Sequence, residues 1–112
     1  TLLWEERFAL AVFYYATTGD GWSNNDGWMT AAGVCSWIGI DGCNADDSVT
    51  KIALTLPYGN DYGLVGDLPD ELRALTNLEW LQFSKNSLAY RVRLSCYYLF
   101  TNPLPLALQI SW

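Results

Sequence analysis

Apolar residues recur along this 112-residue chain with three spacings, and each predicts a different element. From Trp4 to Ala16 the spacing is helical: Trp4, Phe8, Ala11 and Tyr15 share one face, with Leu10, Phe13 and Tyr14 widening it. Glu5 and Glu6 lie in the first turn, where carboxylates complement the helix dipole, and Gly19 is placed to stop the helix. Further on the period drops to two. Ile52 and Leu54, then Leu81 and Phe83, alternate with polar or small neighbours, as in short strands buried on one face. Between them Leu72, Leu75 and Leu78 follow at steps of three, which suits a short 3₁₀ or helical turn entered at Leu68-Pro69.

Two of these segments copy one another. Val49, Ile52 and Leu54 are matched 29 positions later by Leu78, Leu81 and Phe83. Leu78 to Leu88 fits L-x-x-L-x-L-x-x-N-x-L, with Phe83 in a Leu slot and Asn86 in the Asn slot. Gly66, Leu68, Pro69, Leu72, Leu75 and Leu78 fit the connector L-x-G-x-[IL]-P-x-x-L-x-x-L-x-x-L. In these motifs the chain resembles plant-type leucine-rich-repeat proteins, whose usual period is about 24 residues. The excess falls in Pro57–Gly63, read as a turn-rich insertion that lengthens a loop at little cost.

Residues 1–48 resemble the N-terminal cap of the same family: a helix, a Gly/Asp/Asn turn carrying Trp22 and Trp28, then Cys35-Ser-Trp37-Ile-Gly39-Ile40-Asp-Gly-Cys43. The second cysteine arrives one residue later than in the family motif, and the further cysteine pair often found near the cap helix is missing. The resemblance implies an α/β fold, a leucine-rich-repeat solenoid of short parallel strands and 3₁₀ or helical return legs with an N-terminal helical cap. Its segments are a cap at 1–48, one full and one partial repeat at 49–88, and a divergent tail at 89–112. A terminal repeat needs such a cap to cover its open face.

The resemblance also assigns roles. Lys51, Ala53, Thr55, Trp80, Gln82 and Ser84 become the outward, ligand-binding face of the sheet, while Asn86 turns the chain and Pro69 starts the return leg, both structural. It implies a Cys35–Cys43 disulfide, where the residues alone leave two free buried thiols as the other reading. A disulfide in turn implies an oxidising compartment and an extracellular or cell-surface location. Fewer than three repeats predict marginal stability for the chain alone.

Charge narrows the partners. Twelve acids stand against six bases, a net charge of −6, which disfavours nucleic acid and anionic membranes. The lack of histidine removes the usual general base and the commonest metal ligand. Asp70-Glu71 reads as solvated surface rather than as an acid/base pair. Asp20 to Gly27 suggests a calcium loop, but Trp22 occupies a required acidic slot, so turn chemistry is the reading. Trp22, Trp28 and Trp37 could stack on sugar, yet their places in the cap motif favour burial, while alternation sends Trp80 outward as an interface anchor. No N-x-[ST] acceptor occurs. No catalytic residue, metal site or cofactor is expected.

The tail differs. It carries Arg91 and Arg93 and no acid. A membrane anchor is one reading, but Asn102-Pro103 and Pro105 interrupt it. A divergent C-terminal cap with Cys96 as an odd thiol is another. The abrupt loss of the connector after Leu88 favours a third, a mispredicted or truncated end of a longer repeat gene. The expectation is the N-terminal part of a receptor-like or secreted recognition protein, missing an upstream leader, that binds a protein or peptide ligand. Any membrane attachment lies in regions outside this chain. A secreted inhibitor of a wall-degrading hydrolase is the narrower alternative, and a small enzyme the remote one.

Overall fold

In a computed structural model of the chain, residues 3–54, 62–66 and 69–82 and the backbone of 109–111 are described. Helix α1 (Leu3–Ala16) leads through 3₁₀ turns at Gly19–Gly21 and Val34–Ser36 into strands β1 (Ile40–Cys43) and β2 (Val49–Ala53). A 3₁₀ helix at Asp70–Ala74 precedes β3 (Trp80–Gln82), and β4 (Gln109–Ser111) completes a sheet of order β1-β2-β3-β4. The first pair is antiparallel and the next two are parallel.

The parallel pairs keep one register. Ile52 lies beside Leu81, and Leu81 beside Ile110. Ile110 stands as far beyond Leu81 as Leu81 beyond Ile52, so the spacing continues into the tail although the connector pattern stops. Phe83, Asn86 and the rest of residues 83–108 lie outside the described residues, as do Thr55 and Ser84.

Strand β1 has no counterpart in the periodicity, because Ile40-Asp-Gly-Cys offers a single strong strand former. The turn after it makes the hairpin. The Asn44 side-chain oxygen accepts from the Asp46 and Ser48 N–H groups, and the Asn44 N–H donates to Ser48 O at 2.9 Å.

The helix forms as expected but presents a different face. Glu6, Ala9, Leu10, Phe13 and Tyr14 are buried, while Trp4, Phe8 and Tyr15 are exposed at 66%, 58% and 67%. Both faces are apolar, so period alone could not choose between them. The left-handed residue that ends the helix is Thr18 at φ 61 rather than Gly19. Gly19 is needed for space, since a Cβ there would lie 2.1 Å from the Tyr14 ring.

Under the helix sits an aromatic cluster. Trp22 meets Trp28 edge-on at 4.9 Å, Trp28 lies 4.9 Å from Trp37, and Phe13 lies 5.7 Å from Trp22. Each buried indole donates to a backbone carbonyl: Trp22 to Thr17, Trp28 to Ile38 and Trp37 to Ala32. These bonds remove the cost of burying the N–H groups. The Arg7 guanidinium lies 5.0 Å from the Trp37 ring centroid and donates to the Thr30 and Ala32 carbonyls.

The end of the Pro57–Gly63 insertion is more than an extended loop. Tyr62 is buried against Trp22 at 6.0 Å, and its carbonyl accepts from the Ser23 N–H. A tyrosine that large cannot end a surface loop without either exposing its ring or docking it, and here it docks.

Cys35 and Cys43 lie at disulfide distance, S–S 2.20 Å, which ties the second 3₁₀ turn to β1. Closing so short a loop contributes about 2.5 kcal/mol on the chain-entropy model. Urea unfolding with and without reductant is expected to differ by about that amount, and equal midpoints would refute it.

Candidate functional site

The outward face of the sheet follows from strand alternation. With Ile52 and Leu81 pointing into the core, their neighbours Lys51, Ala53, Trp80 and Gln82 point away from it. The parallel register sets Lys51 beside Trp80 and Ala53 beside Gln82. Lys51 is exposed and the other three are half-buried. The rows extend to β4, where Gln109 takes the register position beside Trp80 and Ser111 that beside Gln82. Of the six sequence-predicted face residues the structure therefore brings four together; Thr55 and Ser84 lie outside the described residues.

Backbone bonds tie the strands and their flanks together. Ala53 N–H donates to Gly39 O at 2.8 Å, Leu54 N–H to Gln82 O at 3.0 Å, and Glu79 N–H to Thr50 O at 2.7 Å. Pro69, at φ −81 and ψ 152, is the extended residue just before the 3₁₀ helix. Leu72, Leu75 and Leu78 behind it are buried, and the 3₁₀ helix packs against α1.

Strand β1 adds a residue that strand periodicity missed. Asp41 is exposed in a bulge between the Ile40–Ile52 and Gly42–Lys51 pairs. Bulges commonly re-aim one side chain in this way. Beside it is a hollow of about 330 Å³, lined by Asn24, Ile38, Gly39, Asp41, Ala53, Tyr62 and Gln82. The sequence signals for this hollow are Ala53 and Gln82, both placed on the outward face by strand alternation.

The turn after Trp22 supplies one wall through Asn24. Asn24 accepts from the Asp26 N–H through its side chain, and Asn25 donates to Gly19 O and to the Tyr14 hydroxyl. Tyr14 in turn donates to Asp20 at 2.6 Å. These polar groups of the former calcium-loop candidate thus serve turn geometry. Among the described residues no three acid, cysteine or histidine side chains converge as a metal site.

The Tyr62 hydroxyl donates to Asn24 O, and burial, reinforced by the Asp26 charge, raises its pKa above the ordinary tyrosine value. Burial and the Asp20 hydrogen bond act in the same direction on Tyr14. The folded state holds these protons more tightly than the unfolded chain does. Their stabilisation is complete below the unfolded value of about 10 and is lost as pH rises through the folded values. Thermal melts followed by circular dichroism are expected to fall above about pH 10, and less steeply in Tyr62→Phe. An unchanged slope in that variant would remove Tyr62 as a cause.

The site offers a cation, a half-buried indole, an amide and a carboxylate on neighbouring strands. Such a set can bind, through stacking and hydrogen bonds, but contains no nucleophile–base pair. No protein-family model matches the chain, and neither a curated protein nor a solved structure does. Among the described residues no helix is long and apolar enough to cross a membrane.

Proposed function

We propose that this chain is a recognition module of the leucine-rich-repeat type, working outside the cell and binding a protein or peptide ligand on the outward face of its sheet. The observation that carries this reading is the register of Lys51–Trp80 and Ala53–Gln82 at the repeat spacing. A stacked parallel strand of constant period is how a solenoid builds a continuous binding surface. The disulfide-distance pair Cys35–Cys43 supports an oxidising compartment. The hollow beside Asp41 gives an extended ligand a place to bury one side chain.

The test is selection of binders from a random peptide display library on the immobilised full chain, followed by affinity measurement. Trp80→Ala is expected to weaken the selected binders at least about tenfold, as an aromatic anchor should. Arg73→Ala, on the return leg, is the control expected to leave them unchanged. Binders indifferent to Trp80→Ala would place recognition elsewhere and overturn the proposal.

A further inference from the structure

The hollow beside the sheet has a charge of one sign. Asp41 is exposed at it, and among the described residues that line it there is no lysine or arginine. Ile38 and Ala53 give the hollow apolar wall, while Asn24 and Gln82 bring amides to it. A second carboxylate acts on the same place: burial raises the pKa of Tyr62 in the lining, and the nearby Asp26 charge adds to the shift. The bulge holds Asp41 where it stands. Gly42 beside it has no room for a side chain, because a Cβ would lie 2.9 Å from the Thr50 hydroxyl oxygen. At about 330 Å³ the hollow lies at the small end of the roughly 300–1,000 Å³ of ligand pockets, which suits one long side chain.

We propose that this hollow selects an arginine side chain of the peptide ligand, its guanidinium on the Asp41 carboxylate and its methylene stem against Ile38 and Ala53. The proposal rests on the recognition reading above and names the residue that the hollow takes. A peptide laid over the outward face covers Asp41 and strips water from it, because Ala53 and Gln82 belong to the face and to the hollow alike. A carboxylate taken out of water needs a charged partner. An apolar or neutral polar side chain therefore binds there at a penalty, and an acidic one is repelled. Specificity of this kind comes from the group left unpaired by the wrong ligand.

Two properties favour arginine over lysine. The guanidinium is a planar fork of five donors, so it can bond the carboxylate twice and still reach an amide oxygen such as that of Gln82. It is also held less strongly by water than an ammonium group, and so loses less on entering a hollow with apolar walls. The Tyr62 hydroxyl does not compete for Asp41, since it donates to Asn24 O. Lys51, on the neighbouring strand, is not part of the lining. The net charge of −6 draws a cationic peptide toward the chain as a whole.

The test titrates acetyl-arginine amide, acetyl-lysine amide and the neutral isostere acetyl-citrulline amide into the ¹⁵N-labelled full chain at constant ionic strength. Amide resonances of Gly39, Asp41, Ala53 and Gln82 are followed. The arginine probe is expected to shift them with a Kd of about 1–10 mM, and the citrulline probe to bind at least about tenfold more weakly. Asp41→Asn should remove that difference, whereas Asp70→Asn, on the 3₁₀ helix, should keep it. If Asp41→Asn fails to fold, Asp41→Ser takes its place. No shift up to about 100 mM arginine probe overturns the proposal. Equal binding of the citrulline or lysine probe, or indifference to the Asp41 substitution, overturns it as well. The peptides selected for the recognition reading separate the two claims. Peptides that need Trp80 but carry no arginine sensitive to citrulline replacement overturn this inference and leave that reading standing. Peptides indifferent to Trp80→Ala, with the probe shifts present, overturn that reading and leave the arginine preference of the hollow in place.

Discussion

Replacing Glu6 by alanine is expected to destabilise the fold by about 3 kcal/mol, most of it from polar groups left without partners. The Glu6 side chain is completely buried, with one oxygen accepting the Val49 N–H at 2.8 Å and the other accepting the Ser48 hydroxyl. Asn77 donates to that same Ser48 hydroxyl at 2.9 Å. One carboxylate therefore joins α1 to the start of β2 and, through Ser48, to the turn before β3. Among the described residues no buried side-chain polar atom lacks a partner, so the network is satisfied as it stands. Truncation orphans the Val49 N–H and opens a cavity beside it.

Glutamine separates these effects. Its amide oxygen can still accept from Val49, while its NH₂ meets a Ser48 oxygen that already accepts from Asn77. Glu6→Gln should cost about 1 kcal/mol. Ser48→Ala should couple strongly to Glu6→Ala, because the two remove the same bond. Denaturant unfolding of the four proteins of the cycle measures this. A loss below about 0.5 kcal/mol for Glu6→Ala would show that the helix docks on packing alone.

Glu6 also shows what the amino-acid pattern could and could not reveal. Alternation at Lys51–Leu54 and Trp80–Phe83 was enough to place β2 and β3 and to sort Ile52 and Leu81 from Lys51, Ala53, Trp80 and Gln82. The helix was equally plain, but its buried side was not. Trp4, Phe8 and Tyr15 look as apolar as Leu10, Phe13 and Tyr14, and periodicity finds a stripe without saying which stripe faces in. The deciding feature is polar: Glu6 and Thr17 lie in line with Leu10 and Phe13, and Thr17 is buried with its hydroxyl donating to Phe13 O. A carboxylate reads as dipole compensation until a second element supplies its donors.

Half of the candidate site was illegible for related reasons. Asp41 is placed by a bulge in β1, a strand whose own residues scarcely favour one. Tyr62 joins the hollow through contacts with Trp22 and Asn24, about forty positions earlier in the chain. Such pairings arise from topology, which local spacing does not encode. The position of Ile110 beside Leu81 was hidden differently, because the residues before it carry none of the connector pattern.

The second large effect is expected at Gly66, where alanine should cost at least about 3 kcal/mol. Gly66 is the glycine of the connector motif, and two separate demands meet on it. Its φ of 123 lies in a region that residues with a Cβ rarely enter, and a Cβ there would sit 2.2 Å from Ala16 O. That oxygen is backbone at the end of α1, so no side-chain rotation relieves the clash. The approach is close because the connector docks on the helix terminus: Val65 N–H donates to Thr17 O at 3.2 Å, and the Thr18 hydroxyl donates to Val65 O at 2.9 Å. Pushing Gly66 away would break both bonds and part residues 62–66 from the end of α1. Gly33→Ala is the matched control, since φ is −61 there and no atom lies within 4 Å of the added methyl. It should be neutral or stabilise by a few tenths of a kcal/mol through the unfolded state. Urea midpoints for the two variants compare them directly. Equal midpoints would mean that the segment at Gly66 does not hold the helix end, and that α1 is anchored by Glu6 and its aromatic neighbours alone.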